Sequence, residues 1–204
     1  MNIMSDKLPK WLPDKDCDSI LYVAQTFQAR EGSLQGNYAY LSMCLQLYAG
    51  LRIGEVVTLK PKDVYFTSGM EEISVLSKKS NLERVVPIYE TPLLPLLKYF
   101  QGEKLDPEKP YIQRSPKTLW ALYKRIYQKA KVEFSGTHEL RHTYSRNLLM
   151  NDVPIPLLSA LLGHKDLRST LVYSRLLPER DTIHRALKQM NDQRSSRLNK
   201  ERSI

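Results

Sequence analysis

The chain is poor in cysteine, short of acidic side chains and without a long apolar run. Two cysteines in 204 residues cannot build a disulfide framework, and Cys17 and Cys44 both sit at apolar-periodic positions of expected helices. They read as buried, reduced thiols. No apolar stretch reaches the roughly 20 residues of a membrane-spanning helix, and the N-terminal MNIMSDKLPKW lacks the apolar core of a signal peptide. A cytoplasmic protein is the expectation, with no membrane partner. Internal repeats and low-complexity segments are missing as well, which removes solenoids and linkers from consideration. The 22 acidic residues are outnumbered by 31 lysines and arginines, giving a net charge of +9 and a pI near 9.5. Such an excess favours a polyanionic partner, DNA or RNA above all, but charge alone does not establish one.

What is present is an ordinary globular composition, 42% hydrophobic and 26% charged, sufficient for one substantial core. Helical periodicity dominates. Behind aspartates suited to an N-cap, DKDCDSILYVAQTF places Cys17, Ile20, Leu21, Ala24 and Phe27 on one helical stripe. Tyr38, Leu41, Cys44, Leu45 and Tyr48 mark a second helix stopped by Gly50, and LRIGEVVTL a short third. The texture then changes. DVYFTSGMEEISVLSKKSNLERVVPI is rich in β-branched residues and broken at Ser68-Gly69 and around Lys79-Ser80-Asn81, which predicts a small three-stranded antiparallel sheet. Further helices are expected near TPLLPLLKYF, SPKTLWALYKRIYQKA, THELRHTYSRNLLMN, PIPLLSALL and PERDTIHRALKQM, the second of them capped by Ser115 with Pro116 at its first position. The fold class is mainly α with this one sheet.

The chemistry turns on HELRH, His138 to His142, which has two readings. As H-E-x-x-H it is a zinc-peptidase helix, with two histidines on the metal and Glu139 as base. That site needs a third ligand. The usual downstream glycine and histidine are replaced by Ser145 and Leu148, leaving His164 or Glu179 to be recruited. Arg141 also projects from the face of His138, where a guanidinium beside a dication is unfavourable without an anion between them. As His-x-x-Arg the same stretch grips an anion. Arginine forks match the non-bridging oxygens of a phosphodiester and keep their charge at any working pH. Arg52, in GLRIGE, is a second such arginine, with Glu55 placed to hold it; the plainer reading is a surface pair. Tyr173 supplies a nucleophile if cations or a base assist its phenol, whose free pKa is about 10. With twelve tyrosines in the chain, core packing is its plainer reading.

In order, GLRIGEV, THELRHTYS, LLGH and STLVYSR resemble the signatures of the tyrosine recombinases, the phage integrase family. The likeness runs from about Leu12 to Leu187. It includes the spacing of twenty-two residues between Arg141 and His164 and of eight between His164 and Tyr173. The resemblance implies a tyrosine recombinase catalytic-domain fold, with catalytic roles for Arg52, Lys79, His138, Arg141, His164 and Tyr173 and a supporting role for Glu55. The segment KKSNLERVVPI is similar to the family's lysine-bearing β-hairpin, and aligning Arg84 and Pro87 puts Lys79 on the catalytic position. Lys78 and Arg84 are read as DNA contacts. Lys78, Ser80 and Leu82 depart from the family's usual glycines and basic residue there.

The implied reaction is a transesterification without metal, ATP or other cofactor. Tyr173 attacks a DNA phosphate, the arginines and histidines hold its oxygens, Lys79 protonates the departing 5′-oxygen, and a 3′-phosphotyrosyl link results. His142 becomes a structural helix residue, and the zinc pattern a coincidence. The implied partners are double-stranded DNA, at the nucleoid in a prokaryote, and further copies of the chain, assembling as a tetramer through the helix that carries Ile183, Leu187 and Met190. Residues 1–11 are expected as an N-terminal extension, 12–190 as the catalytic domain and 191–204 as a basic tail, with the family's N-terminal core-binding domain absent. Two other readings keep the fold: a type IB topoisomerase, which would relax supercoils, and a DNA-binding protein without catalysis.

Overall fold

The structure is a computed structural model, and the residues described are 9–31, 34–67, 69–77, 82–88, 91–102, 105–164, 166 and 168–174. Lys78, Lys79, the expected helix over 178–190 and the basic tail all lie outside them.

Helix α1 (Asp14–Glu31) starts behind Pro13, whose carbonyl accepts from the amides of Asp16 and Cys17, both at 3.0 Å. It buries Cys17, Ile20, Leu21 and Ala24 against α2 (Leu34–Ala49). The sequence pattern gave α2 one apolar stripe. The structure instead buries every described side chain from Ala39 to Leu47, including Ser42 and Gln46, because α1, α4, α5 and α6 all pack on it. A helix covered on all sides has no polar face to show. Both cysteines are buried free thiols.

After the short α3 (Ile53–Val56) comes a sheet of three antiparallel strands in the order β1 (Val64–Tyr65), β2 (Glu72–Ser77), β3 (Leu82–Pro87). Period-2 alternation sends Ile73, Val75 and Val86 into the core and leaves Leu76 and Val85 outside. The register pairs Ser77 with Leu82, so Lys78 and Lys79 fall between the two strands in sequence. Then follow α4 (Leu93–Gly102), α5 (Pro116–Ala130), α6 (Glu139–Met150) and α7 (Ile155–Leu162). Ser115 caps α5 by accepting from the Thr118 amide at 3.1 Å.

The last described element, α8 (Arg168–Ser174), has no counterpart in the sequence pattern. Seven residues are too few to display a helical period, and packing of Thr170 and Tyr173 toward α6 and α7 holds it. Two apolar clusters result. The larger joins α1, α2, α4, α5 and the sheet; the smaller gathers Tyr144, Leu149, Leu158, Leu162 and Tyr173 from α6, α7 and α8. Among the described residues no helix is long and apolar enough to cross a membrane.

Candidate active site

Several polar side chains meet where the two clusters adjoin. Their placement begins with Gln46, buried in α2, whose amide donates to the carbonyl of Thr137 at 2.9 Å and so fixes the entry into α6. His138 is the N-cap of that helix, and Arg141 follows one turn later. On the other side of α6, Leu12 donates its amide to Thr143 Oγ1 at 2.9 Å, and the Arg146 guanidinium lies 3.8 Å from the centre of the Trp11 ring. The helix is therefore gripped from both sides.

Glu55 is the hub. Its carboxylate accepts from the Arg52 amide (2.8 Å), Arg52 Nη1 (3.0 Å), Arg84 Nη1 (3.0 Å) and Arg84 Nη2 (2.8 Å), with Arg141 Nη1 at 3.8 Å. Burial alone would raise its pKa. The hydrogen bonds and charge of Arg84, the Arg52 amide and the charge of Arg141 overcome that and hold it at about 2. Glu55 is thus a fixed anion that spaces three guanidinium groups. The sequence reading gave Arg84 to the DNA surface, whereas the structure pairs it with Glu55 in the interior. Its side chain is 8% exposed, its fork is closed on Glu55, and its Nε donates to the Leu161 carbonyl at 2.7 Å.

Arg141 is 3% exposed and donates through Nη1 to the Gly50 carbonyl (2.5 Å) and through Nη2 to Leu162 O (2.7 Å) and His164 Nε2 (3.3 Å). Gly50 adopts φ +62, and a β-carbon there would run into the Tyr144 ring. Three of the five N–H donors of a guanidinium are held by these acceptors. Burial lowers the Arg141 pKa, the charges of Arg52 and Arg84 add to this, and Glu55 opposes; a guanidinium stays protonated at neutral pH regardless.

Because Arg141 can only donate, His164 Nε2 accepts, and its Nδ1–H donates to Thr170 Oγ1 at 2.7 Å. The imidazole is neutral: burial, then Arg141, Arg52 and Arg84, push its pKa to about 4. His138 faces solvent more openly, and its pKa is lowered by partial burial, Arg141 and Arg52.

Tyr173 is 3% exposed, with its hydroxyl 2.6 Å from His142 Nδ1. Burial raises the phenol pKa, against the opposing influence of the Ser145 hydroxyl, Arg141 and Arg52. His142 is pushed down to about 4 by burial, His138 and Arg141. Sequence reasoning made this histidine a structural helix residue and did not see its tyrosine partner. The signal was in HELRH itself, since residues four apart share a helix face. Thr170 and the carbonyls of Gly50 and Leu162 carried no comparable mark.

The structure therefore brings together Arg52, Glu55, His138, Arg141, His164 and Tyr173; Lys78 and Lys79 lie outside the described residues. Glu139, the base in the zinc reading, turns away to accept hydrogen bonds from the amide and hydroxyl of Ser135. Among the described residues no three His, Cys, Asp or Glu side chains gather as metal ligands.

Residues 10–180 match the model described as the phage integrase family. The chain belongs to that family. Tyrosine recombinase XerA of Pyrococcus horikoshii is 29% identical over 189 residues, covering 88% of this chain and 62% of the relative. This phage integrase family member thus spans under two thirds of that relative's length. Its fold is similar to that of the XerH site-specific recombinase bound to difH substrate in a pre-cleavage complex. There the TM-score is 0.73 and the identity 21%, covering 91% of this chain and 56% of the other. The catalytic domain of bacteriophage HP1 integrase superposes with a TM-score of 0.65 at 22% identity, covering 88% of this chain and 94% of that domain.

Proposed function

We propose that this chain is the catalytic part of a site-specific DNA recombinase that cleaves and rejoins strands through Tyr173. One observation carries the reading: Arg52 and Arg141 share the buried Glu55 carboxylate, His164 is bonded to Arg141, His138 lies one turn before it, and the buried Tyr173 phenol feels the charge of both arginines. Tyr173 Oη attacks phosphorus, the bond to the 5′-oxygen breaks, and a 3′-phosphotyrosyl link and a free 5′-hydroxyl remain. Arg52 and Arg141 hold the non-bridging oxygens as charge builds on them. His138 stands at the solvent side, where it can donate to the same phosphate. His164 orients Arg141 from behind through Nε2. Lys79 is assigned the proton for the leaving oxygen, a task suited to an ammonium among other cations. Neither a metal nor a nucleotide enters the scheme, because the phosphotyrosyl bond keeps the energy of the broken link.

The catalytic unit is assigned to residues 12–190, between an N-terminal extension and a basic tail. Its partners are double-stranded DNA and further copies of itself. The net charge of +9 supports the first, and DNA affinity should fall steeply with salt. The apolar stripe Ile183, Leu187 and Met190 supports the second, as a helix docking on a neighbouring copy to build a tetramer. Unchanged assembly on DNA after deletion from Pro178 onward would sink that part.

Covalent trapping tests the whole. The protein is incubated with nicked suicide duplexes in the presence of chelator, beside Tyr173→Phe, and denaturation-resistant adducts are counted. An adduct that the variant cannot form is expected. An adduct that persists in Tyr173→Phe would remove the tyrosine from its role.

A further inference from the structure

The attack assigned to Tyr173 requires its phenol to lose a proton, and the usual helpers are badly placed to take it. Arg52 and Arg141 are cations that only donate. His164 has its Nε2 occupied by Arg141 and its Nδ1–H directed at Thr170. The Ser145 hydroxyl also reaches the phenol but is too weak a base to take its proton, and the basic nitrogen in contact with it belongs to His142, on the face of α6 that meets α8.

His142 Nδ1 lies 2.6 Å from Tyr173 Oη. The ring centroids are 5.7 Å apart at 50°, so the rings meet through a nitrogen edge rather than by stacking. Both groups are neutral at rest: burial disfavours the phenolate, while burial together with His138 and Arg141 disfavours the imidazolium. A phenol is the stronger donor and an imidazole nitrogen the stronger acceptor, which favours the tautomer in which the phenol O–H donates to a bare Nδ1 and Nε2 carries the ring hydrogen.

We propose that His142 is the proton acceptor for Tyr173. As Tyr173 Oη bonds to phosphorus and the bond from phosphorus to the 5′-oxygen breaks, the phenol proton passes to His142 Nδ1. In the rejoining step the DNA hydroxyl attacks, the tyrosyl oxygen leaves, and His142 returns the proton to it. The inference rests on Tyr173 being the nucleophile. It separates two proton transfers, one at the attacking oxygen through His142 and one at the leaving oxygen through a different group.

An arriving phosphodiester makes the transfer easier. Its negative charge beside Arg141 offsets the repulsion that holds down the proton affinity of His142, so Nδ1 becomes more basic as the attack begins. The base is therefore weak in the free protein and strengthens with DNA in place. Tyr173 would not sit as a reactive phenolate before a substrate arrives.

Two measurements test this on the full chain. In the free protein, imidazole nitrogen NMR at neutral pH should show a bare, hydrogen-bonded Nδ1 on His142 whose shift changes in Tyr173→Phe. A hydrogen carried on Nδ1 would overturn the proposal. The second measurement is single-turnover adduct formation on suicide duplexes with either oxygen or sulfur at the 5′-bridging position, since a sulfur leaving group needs no acid. His142→Asn keeps an acceptor but cannot carry the proton. It should be slowed on the order of 10²–10⁴-fold on both duplexes, while sulfur should restore Lys79→Ala. A rate for folded His142→Asn within about twofold of the parent, or its rescue by sulfur, would overturn the proposal. If the parent chain forms no adduct on any duplex, the nucleophile reading itself has failed and this proposal falls with it; the NMR result still reports separately whether the hydrogen bond exists.

Discussion

Arg84 and Glu55 form a two-pronged ion pair in the interior, with Nη1 3.0 Å from Oε1 and Nη2 2.8 Å from Oε2. Their side chains are 8% and 7% exposed. Removing one partner leaves the other charged and buried, which commonly costs about 3–5 kcal/mol. Arg84→Ala and Glu55→Ala should each lower the urea midpoint accordingly. In a folded Arg84→Met, the salt dependence of DNA binding should keep its slope, because the donors of this arginine are taken up by Glu55 and the Leu161 carbonyl. A slope reduced by about one would return Arg84 to the DNA surface.

Stability should fall with acid in two stages. His142 and His164 have folded pKa values of about 4 against an ordinary 6.5, so the unfolded chain binds more protons between those limits. Their contribution is whole above pH 6.5 and is lost as the pH drops toward 4. Glu55, at about 2 against 4.5, gives stability that is whole above pH 4.5 and disappears toward 2. Urea titrations at several pH values check this. His164→Asn should flatten the first stage, and an unchanged profile would contradict the assignment.

Gly50→Ala should be costly in two ways. A β-carbon at φ +62 is strained, and it meets the Tyr144 ring. A loss of more than about 1 kcal/mol is expected. The shifted carbonyl would also release Arg141 Nη1, so adduct formation should slow beyond what the lost stability explains. Thermal unfolding measured beside single-turnover trapping separates the two effects.

Arg141→Lys should slow adduct formation at saturating DNA by roughly 10²–10³-fold. One ammonium cannot reach Gly50 O, Leu162 O, His164 Nε2 and a phosphate oxygen together, whereas the planar fork distributes its donors. DNA binding should weaken far less, since the phosphate contacts of the whole basic surface remain. Equal loss in binding and rate would make Arg141 a ground-state contact only.

The sequence by itself determined the helical class, the three strands and the ordered set Arg52, His138, Arg141, His164 and Tyr173. Period and motif order are properties of neighbours along the chain, so they survive without coordinates. It could not tell Arg84 as a DNA contact from Arg84 as an interior ion-pair partner, because that depends on a carboxylate 29 residues away. Nor could it show that His142 meets a tyrosine 31 residues later, or that Arg141 is held by a carbonyl 91 residues earlier. The short α8 escaped for the same reason. Its helix forms because Thr170 and Tyr173 find α6 and α7, and that contact exists only once the chain has closed on itself.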